Sequence, residues 1–232
     1  IAETVPNNAE HNAAGYKAML KSVVMLKNSG GIIHRELPGA GKPTVYIPLV
    51  YSAATTGRGA APASARPAFN PEVAGEYFNV VTDELARRLT GPADEKGNPT
   101  VSPKDIICAS AAKKVIVALN VSNPMVFTEF ESEVDAILVG FGGDRSSWLP
   151  DKAFLEIIAG KAEPSGLLPL QMPANMETVE KQFEDVPRDM ECHVDSDGNT
   201  YNFAFGLNWS GVIKDSRTEK YGVPPVVGRP PE

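Results

Sequence analysis

A glycine-rich turn at residues 140–143 is followed by three side chains that could contact a polar ligand: Asp144, Arg145 and Trp148. An apolar segment typical of a strand ends at this turn, and open α/β sheets bind ligands beyond the carboxyl ends of their strands. A carboxylate and a guanidinium can hydrogen-bond hydroxyl groups, and an indole ring can stack on a sugar. We therefore take these three residues as candidates for substrate binding, with a local Asp144–Arg145 ion pair as the alternative.

Two carboxylates further upstream, Glu129 and Glu131, follow a strand that we predict to end at Asn120. The sequence between them and the next strand predicts a short helix over residues 125–133. Both side chains then fit a solvated helix face. Glu129 is retained as a further candidate for substrate binding because it follows the carboxyl end of a strand.

Residues 195–199, Asp-Ser-Asp-Gly-Asn, superficially resemble a calcium-binding loop. An EF-hand loop requires Gly at its sixth position and Glu at its twelfth, but Thr200 and Gly206 stand there. A tight turn explains the segment better. The two cysteines lack metal-ligand spacing, and His193 beside Cys192 has no partner ligand in the nearby sequence. We predict no metal site and interpret His193 as structural.

Composition excludes several classes of partner. The 232 residues carry a formal net charge of -7, and the isoelectric point is about 5.1. An acidic surface repels the phosphate backbone of nucleic acids, so we expect no nucleic-acid partner. The longest apolar run, Val115 to Leu119, is far shorter than the ~18–20 residues of a membrane span, so we expect no membrane partner.

Strands and helices alternate along much of the chain. We predict strands at residues 22–26, 44–50, 114–120 and 136–139, and helices at residues 11–21, 103–112, 125–133 and 151–158. The strand at residues 22–26 is apolar on both faces, which is typical of a buried parallel strand. Residues 52–71 lack an apolar period and predict a long surface loop, whereas residues 77–81 fit either a helix or a strand.

This alternation predicts an α/β fold, specifically a three-layer α/β/α sandwich around a mostly parallel sheet. The sandwich domain is expected to span residues 11–213. Residues 1–10 are polar and fit a linker, and residues 214–232 are rich in proline and fit a tail or linker.

Several short motifs follow one another in a fixed order. They are Asn-Val-Ser-Asn-Pro at residues 120–124, Val-Asp-Ala-Ile-Leu at 134–138, Glu-Pro-Ser-Gly-Leu-Leu-Pro at 163–169 and Phe-Ala-Phe-Gly-Leu at 203–207. A predicted strand ending in Leu-Lys-Asn at residues 26–28 precedes them. With these motifs in this order, the chain resembles glycoside hydrolase family 3 over about residues 11–213. The resemblance is to the second, α/β sandwich domain of its β-glucosidases and β-xylosidases.

The resemblance implies hydrolysis of β-linked glycosides with retention of configuration, without a cofactor. The substrate would be a β-linked oligosaccharide or an aryl glycoside, and the protein would be secreted or periplasmic. A carboxylate nucleophile and a carboxylic acid that later acts as a base would lie about 5–5.5 Å apart. The family's nucleophilic Asp belongs to a preceding (β/α)₈ barrel, and 232 residues cannot hold both that barrel and this sandwich. The chain alone is therefore expected to be inactive.

The acid/base residue is not identifiable from the sequence. Relatives carry this Glu on a loop between the helix that starts here near Pro103 and the strand at Val115, but only Ser110-Ala-Ala-Lys113 joins the two elements. Either this chain lacks that strand and loop, or a segment is missing between Ala111 and Lys114. The catalytic residues are consequently left unassigned.

Three functional hypotheses follow. In the leading hypothesis, the chain forms one wall of the active-site cleft of an exo-acting β-glycosidase, and β-glucosidase is the favoured activity. A barrel from the same polypeptide or another chain completes the cleft. The second is a non-catalytic carbohydrate-binding or assembly domain. The third is a flavodoxin-like phosphate binder, but residues 37–44 fail the phosphate-loop pattern, because Glu36 and Pro43 occupy the positions of its first Gly and its Ser or Thr.

Overall fold

A computed structural model describes residues 9–36, 39, 41–57, 60–82, 114–141, 149–183, 186 and 188–222. Contacts between residues divide the chain into a larger unit, residues 1–35 and 116–232, and a smaller unit, residues 36–115. Within the described ranges, none of the helices has the length and apolar character needed to cross a membrane.

Within the described residues, the larger unit contains four α-helices, two 3₁₀ turns and five strands, and the first 3₁₀ turn covers Ser29–Gly31. The α-helices are α1 (Ala9–Ser22), α3 (Leu149–Ile158), α4 (Met176–Lys181) and α5 (Ser216–Tyr221), and a 3₁₀ turn covers Glu131–Glu133. The strands are β1 (Val24–Asn28), β6 (Ile116–Val121), β7 (Ala136–Phe141), β8 (Leu207–Asn208) and β9 (Gly211–Val212). The predicted helices at 11–21 and 151–158 and the predicted strands at 114–120 and 136–139 are confirmed, with small shifts of their ends.

The five strands form one sheet in the order β6-β7-β1-β8-β9. Strands β6 and β7 are parallel, with Ile116 opposite Ala136 and Asn120 opposite Gly140. Strand β1 runs antiparallel to both β7 and β8, so the prediction of a parallel strand at residues 22–26 is wrong. An apolar run reports burial on both faces, but it carries no information about direction.

The core of this sheet explains why β1 and β7 lie at its centre. Val24, Met25 and Leu26 are fully buried, as are all residues from Ala136 to Val139. Removing this much apolar surface from water is the main stabilising contribution that these strands offer. The predicted α/β fold class is confirmed, but the described sheet is mixed rather than mostly parallel, with one parallel and three antiparallel pairs.

Helix α3 presents Ala153, Phe154, Leu155 and Ile157 to the core and packs against α1. The chain leaves the helix at Gly160, whose φ of +70° is a left-handed conformation that glycine adopts without steric cost. This confirms the helix end predicted from Gly160. Helices α1 and α3 both lie beside the carboxyl ends of β6 and β7.

The helix predicted over residues 125–133 is wrong. Phe127 and Phe130 both enter the core, and the backbone N–H groups of Phe130 and Glu131 donate to the carbonyl of Phe127. One turn is enough to bury both rings, after which the chain must extend to enter β7. Glu131, expected on a solvated helix face, is instead 5% exposed.

Two motif segments near the end of the chain pack directly on each other and on the beginning of β1. The backbone N–H of Leu168 donates to Phe205 O at 2.8 Å, and that of Ala204 donates to Leu168 O at 2.8 Å. A Cβ on Gly166 would overlap the carbonyl of Val23, and one on Gly206 would overlap the carbonyl of Gly166. Both glycines are therefore required by close backbone approach.

The described part of the smaller unit has four strands and one helix. They are β2 (Thr44–Ile47), β3 (Leu49–Ser52), β4 (Ser64–Pro67), α2 (Pro71–Gly75) and β5 (Asn79–Thr82), with β2 parallel to β5 and β3 antiparallel to β4. Pro48 splits the single strand predicted at 44–50, because proline has no N–H to donate to a ladder. Strand β4 lies inside the predicted loop at 52–71, so that prediction is wrong in part.

Residues 77–81 were compatible with a helix or a strand, and the structure places residues 79–81 in strand β5. Helix α2 begins at Pro71, where the side chain of Asn70 accepts hydrogen bonds from the N–H groups of Glu72 and Val73, and it ends at Gly75. Strand β5 starts at Asn79. The domain limits at residues 11 and 213 stay predictions, and α5 lies within the segment predicted as a tail.

Replacing Gly166 or Gly206 by Ala is expected to destabilise the protein by about 1–3 kcal/mol or more, because the new methyl group must displace backbone atoms. Gly15→Ala is the matched control, since no heavy atom lies within 4 Å of its notional Cβ in α1. It should raise the free energy of unfolding by about 0.5–1 kcal/mol. Chemical denaturation of the three variants measures these values, and equal stability of G166A and wild type would contradict the close packing.

Candidate functional site

Of the four residues proposed from the sequence as substrate contacts, Glu129 lies among the described residues. Asp144, Arg145 and Trp148 fall within residues 142–148, which lie outside the described residues. Glu129 is described and is exposed in the turn before Glu131–Glu133. Glu131 contacts Lys27, and Lys27 lies opposite Ile137 near the beginning of β7, so this turn is at the other end of β7 from Gly140.

A cavity of about 320 Å³ lies at the carboxyl ends of β6 and β7. Helix α1 contributes Ala18, Met19 and Ser22 to its wall, the strand ends contribute Asn120, Gly140 and Phe141, and α3 contributes Ala153 and Phe154. This is the edge at which open α/β sheets bind ligands. Phe141 and Pro150, which flank residues 142–149, both line the cavity.

Gly140 sets the width of the cavity floor. Its notional Cβ would lie 2.9 Å from Asn120 Oδ1 and 2.9 Å from Phe154 Cζ. Any larger residue would push the amide or the ring aside. The absence of a side chain here lets both the Asn120 amide and the Phe154 ring approach the backbone of Gly140.

The walls of the cavity are mainly apolar. Among the described lining residues, the polar side chains are Asn120 and Ser22, and the Ser22 hydroxyl donates to Met19 O at 2.7 Å. The described lining contains no carboxylate, so it supplies neither a nucleophile nor a general acid. These walls can enclose an apolar group and offer it one amide, but they cannot cleave a glycosidic bond alone.

A buried polar cluster occupies the opposite end of the sheet. Lys27 on β1 donates from Nζ to Glu131 Oε1 at 2.5 Å, to Glu131 O at 2.8 Å and to Ser196 Oγ at 2.9 Å. The Ser196 hydroxyl in turn donates to Glu131 Oε1 at 3.0 Å. The side chains of Lys27 and Glu131 are 3% and 6% exposed, so each is the main compensation for the charge of the other.

The environment of Glu131 favours its charged form. Burial acts to raise the pKa of Glu131, but the hydrogen bonds from Lys27 and from Ser196 outweigh burial, and the pKa lies below its ordinary value. Burial also raises the pKa of Tyr201, which is fully buried beside this cluster. Glu131 is therefore an ionised partner of Lys27 and does not hold a proton to donate.

The predicted turn at residues 195–199 is present. The carboxylate of Asp195 accepts hydrogen bonds from Asp197 N at 3.0 Å and Asn199 N at 2.7 Å, and from Asn199 Nδ2 at 3.1 Å. These bonds use its oxygens within the turn itself. No group of three potential metal ligands occurs in the part of the chain that the structure describes.

Part of the chain matches a known protein family. Residues 104–209 match the model of the glycosyl hydrolase family 3 C-terminal domain. The match covers β6, β7, α3, both packed glycine motifs and the turn that carries Ser196. This part of the chain is similar to the C-terminal domain of that family. The resemblance noted from the sequence is thereby confirmed.

Two named relatives are similar to part of this chain. The chain is 30% identical over 109 residues to the probable β-glucosidase C of Aspergillus oryzae, which is 47% of this chain and 15% of that protein. It is 36% identical over 94 residues to the β-glucosidase C of Emericella nidulans, which is 40% of this chain and 13% of that protein. The chain thus matches only a small part of the length of these relatives.

Solved structures show the same fold. A β-glucosidase from Chaetomella raphigera aligns with a TM-score of 0.52 at 15% identity, covering 88% of this chain and 37% of that one. β-Glucosidase 3B from Thermotoga neapolitana, solved with glucose, aligns with a TM-score of 0.50 at 18% identity, covering 88% of this chain and 39% of that one. At these identities the likeness establishes the fold.

The sequence did not reveal that Lys27 and Glu131 form a pair. The available signal was the charge of Lys27 directly after three buried apolar residues, since a lysine in a buried strand requires an anionic partner. The partner lies 104 positions away, and nothing in the sequence links the two.

Replacing Lys27 by Met should cost about 3–5 kcal/mol of folding stability, because it leaves the Glu131 carboxylate buried without its cation. The double variant K27M/E131L should recover much of this loss. Lys181→Met is the control, since the Lys181–Glu177 pair is 73% and 71% exposed and should contribute under about 1 kcal/mol. Denaturant titration measures all three, and equal losses for K27M and K181M would refute the role of burial.

Proposed function

We propose that this chain is the C-terminal α/β part of a retaining, exo-acting β-glycosidase whose leading substrates are β-glucosides. The substrate would be a β-linked oligosaccharide or an aryl glycoside. The observation that carries the proposal is the family 3 match over residues 104–209, together with relatives that are named β-glucosidases. The chain spans a small fraction of those relatives, so the activity belongs to a larger assembly.

The chemistry requires groups that the described cavity does not contain. Retaining hydrolysis uses two carboxyl groups about 5–5.5 Å apart, one attacking the anomeric carbon and one protonating the leaving oxygen. In our proposal the nucleophilic Asp comes from a (β/α)₈ barrel on the same polypeptide or another chain. The acid/base residue is left unassigned, because the join at residues 110–113 where relatives carry it lies outside the described residues.

The contribution of this chain is one wall of the cleft, beyond the carboxyl ends of β6 and β7. Asp144, Arg145 and Trp148 are proposed as its contacts with the sugar, because they follow β7 directly in sequence. The carboxylate of Asp144 and the guanidinium of Arg145 can bind sugar hydroxyls, while the indole of Trp148 stacks on the ring. Glu129 belongs to the turn at the opposite end of β7 and is not part of this wall.

A second candidate function is a non-catalytic carbohydrate-binding or assembly domain. The apolar lining of the cavity, with Asn120 and Ser22 as its described polar side chains, favours this alternative. Both functions place the protein in contact with extracellular glycans, and we propose a secreted or periplasmic location. The two are distinguished by whether a barrel partner restores turnover.

The purified chain should not hydrolyse an aryl β-glucoside, because in our proposal the nucleophilic Asp belongs to the barrel. The same chain joined to a family 3 barrel should hydrolyse it. Release of nitrophenol from nitrophenyl β-glucoside measures both. Turnover by the chain alone at rates typical of an intact enzyme would overturn the proposal. Saturable binding of cello-oligosaccharides without turnover by the joined protein would support the second candidate instead.

In the joined, active protein, Trp148→Ala should lower kcat/KM by roughly tenfold, equivalent to about 1.4 kcal/mol of transition-state stabilisation. Glu129→Gln is the control and should leave kcat/KM unchanged, because Glu129 lies at the other end of β7. If W148A and E129Q have the same kinetics as the unmodified protein, the assignment of Trp148 to the cleft wall fails.

A further inference from the structure

Strands β3 and β4 form a two-stranded sheet of their own, and within the described residues neither strand pairs with a third. Four residue pairs join them, and the N–H of Ala68 donates to Pro48 O at 2.9 Å just beyond the last pair. We call this ribbon, residues 48–68, the hairpin arm. An isolated two-stranded hairpin is at most marginally stable in water, so the arm needs a further surface to pack against.

The hairpin arm is exposed and basic. Residues 64–66 are exposed, and Val50 is 39% exposed. Val50 and Arg66 lie directly opposite each other on the two strands, so their side chains share one face of the ribbon. Arg66 has no hydrogen bond or ion pair within the described part of the chain. From residue 37 to residue 71 the sequence has three basic residues and no acidic one, although the whole chain has a formal net charge of -7.

A surface with the opposite charge lies in the larger unit. The sequence from residue 176 to residue 191, which includes α4, contains six acidic and two basic residues. The N–H of Ala174 donates to Glu191 O at 2.9 Å, and that of Phe183 donates to Asp189 Oδ2 at 2.7 Å, so α4 is tied at both ends to the stretch that follows it. We call the exposed side chains of this segment the acidic surface; they are Met176, Glu177, Glu180, Phe183, Asp189 and Glu191.

The acidic surface also carries two large apolar side chains. Phe183 is 68% exposed and Met176 is 61% exposed, which is more than any other large apolar residue in the described ranges. Removing them from water would favour association with a partner. Lys181 compensates Glu177, whereas Glu180 has no ion pair in the part of the chain that the structure describes. The surface therefore fits a partner that presents apolar and cationic groups together.

We propose that the hairpin arm of one copy of this chain docks on the acidic surface of a second copy, and that the reciprocal contact closes a two-fold dimer. Val50 and Arg66 on one face of the arm match the apolar and anionic groups of the surface. Every copy carries one arm and one acidic surface, so a two-fold arrangement uses all four and leaves none open for further growth. The dimer does not depend on the proposed glycosidase function.

Sedimentation velocity of the full chain, from about 1 µM to about 100 µM, tests the dimer. At about 0.05 M NaCl we expect a dimer whose fraction rises with concentration. At about 1 M NaCl the Debye length falls to about 3 Å, so the dissociation constant should rise by about tenfold or more. A protein that stays monomeric over this range at low salt, or a dimer that is insensitive to salt, would overturn the proposal.

Charge reversals on the two surfaces test which groups meet. Arg66→Glu should raise the dissociation constant by about tenfold or more. Lys214→Glu is the matched control, because it changes the net charge equally at an exposed lysine outside both surfaces, and it should change the constant by less than about twofold. Glu180→Lys should also weaken the dimer, although it lowers the net negative charge that opposes self-association. Equal constants for R66E and K214E, or tighter association of E180K, would contradict the docking.

Amide hydrogen exchange in the unmodified protein distinguishes the possible occupants of the acidic surface. Residues 64–66 and 176–183 should exchange more slowly as the concentration rises, because the dimer covers both segments. Protection of the arm that is the same at every concentration would mean that it docks on its own chain. Protection that appears only after a family 3 barrel is joined would assign the arm to the barrel. Either result would overturn docking on a second copy.

Discussion

The buried ammonium group of Lys27 needs a compensating partner, and the structure around the amino end of β7 depends on this requirement. It sits on the central strand with a side chain that is 3% exposed, where an unpaired charge would cost several kcal/mol. Its compensation comes from Glu131 and Ser196, two residues far apart in the sequence. The fold can therefore bury β1 only when the turn before β7 and the loop before β8 are both in position.

The two ends of the sheet have opposite characters. At the amino end of β7, an ion pair and a serine hydroxyl form a buried, hydrogen-bonded cluster. At the carboxyl end, Gly140 leaves room for an open cavity with mainly apolar walls. The cavity and the buried ion pair thus lie at opposite ends of β7, so substitutions in the cavity lining are not expected to disturb the buried charges.

Sequence patterns were informative where one local rule decides the outcome and misleading where distant contacts decide. Gly160 predicted the end of α3 because a helix terminus needs a left-handed residue. The direction of β1 was missed because burial on both faces is compatible with either direction. The one-turn structure around Phe127 and Phe130 was missed because their spacing fits a helix equally well, and the inward rotation of Glu131 depends on Lys27, 104 positions away. The cavity arises from α1, β6, β7 and α3 together, so no single segment predicts it.

The central position of β1 has a consequence for biosynthesis. Its first neighbour, β7, follows about 110 residues later in the chain, and its second neighbour, β8, about 180 residues later. At translation rates of about 5–20 residues per second, the apolar stretch Val24–Leu26 would wait roughly 10–40 s on the ribosome before both flanks can form. During that time this apolar stretch lacks the strands that pair with it and is prone to aggregation. Production of this protein should therefore depend on chaperones that shield nascent chains.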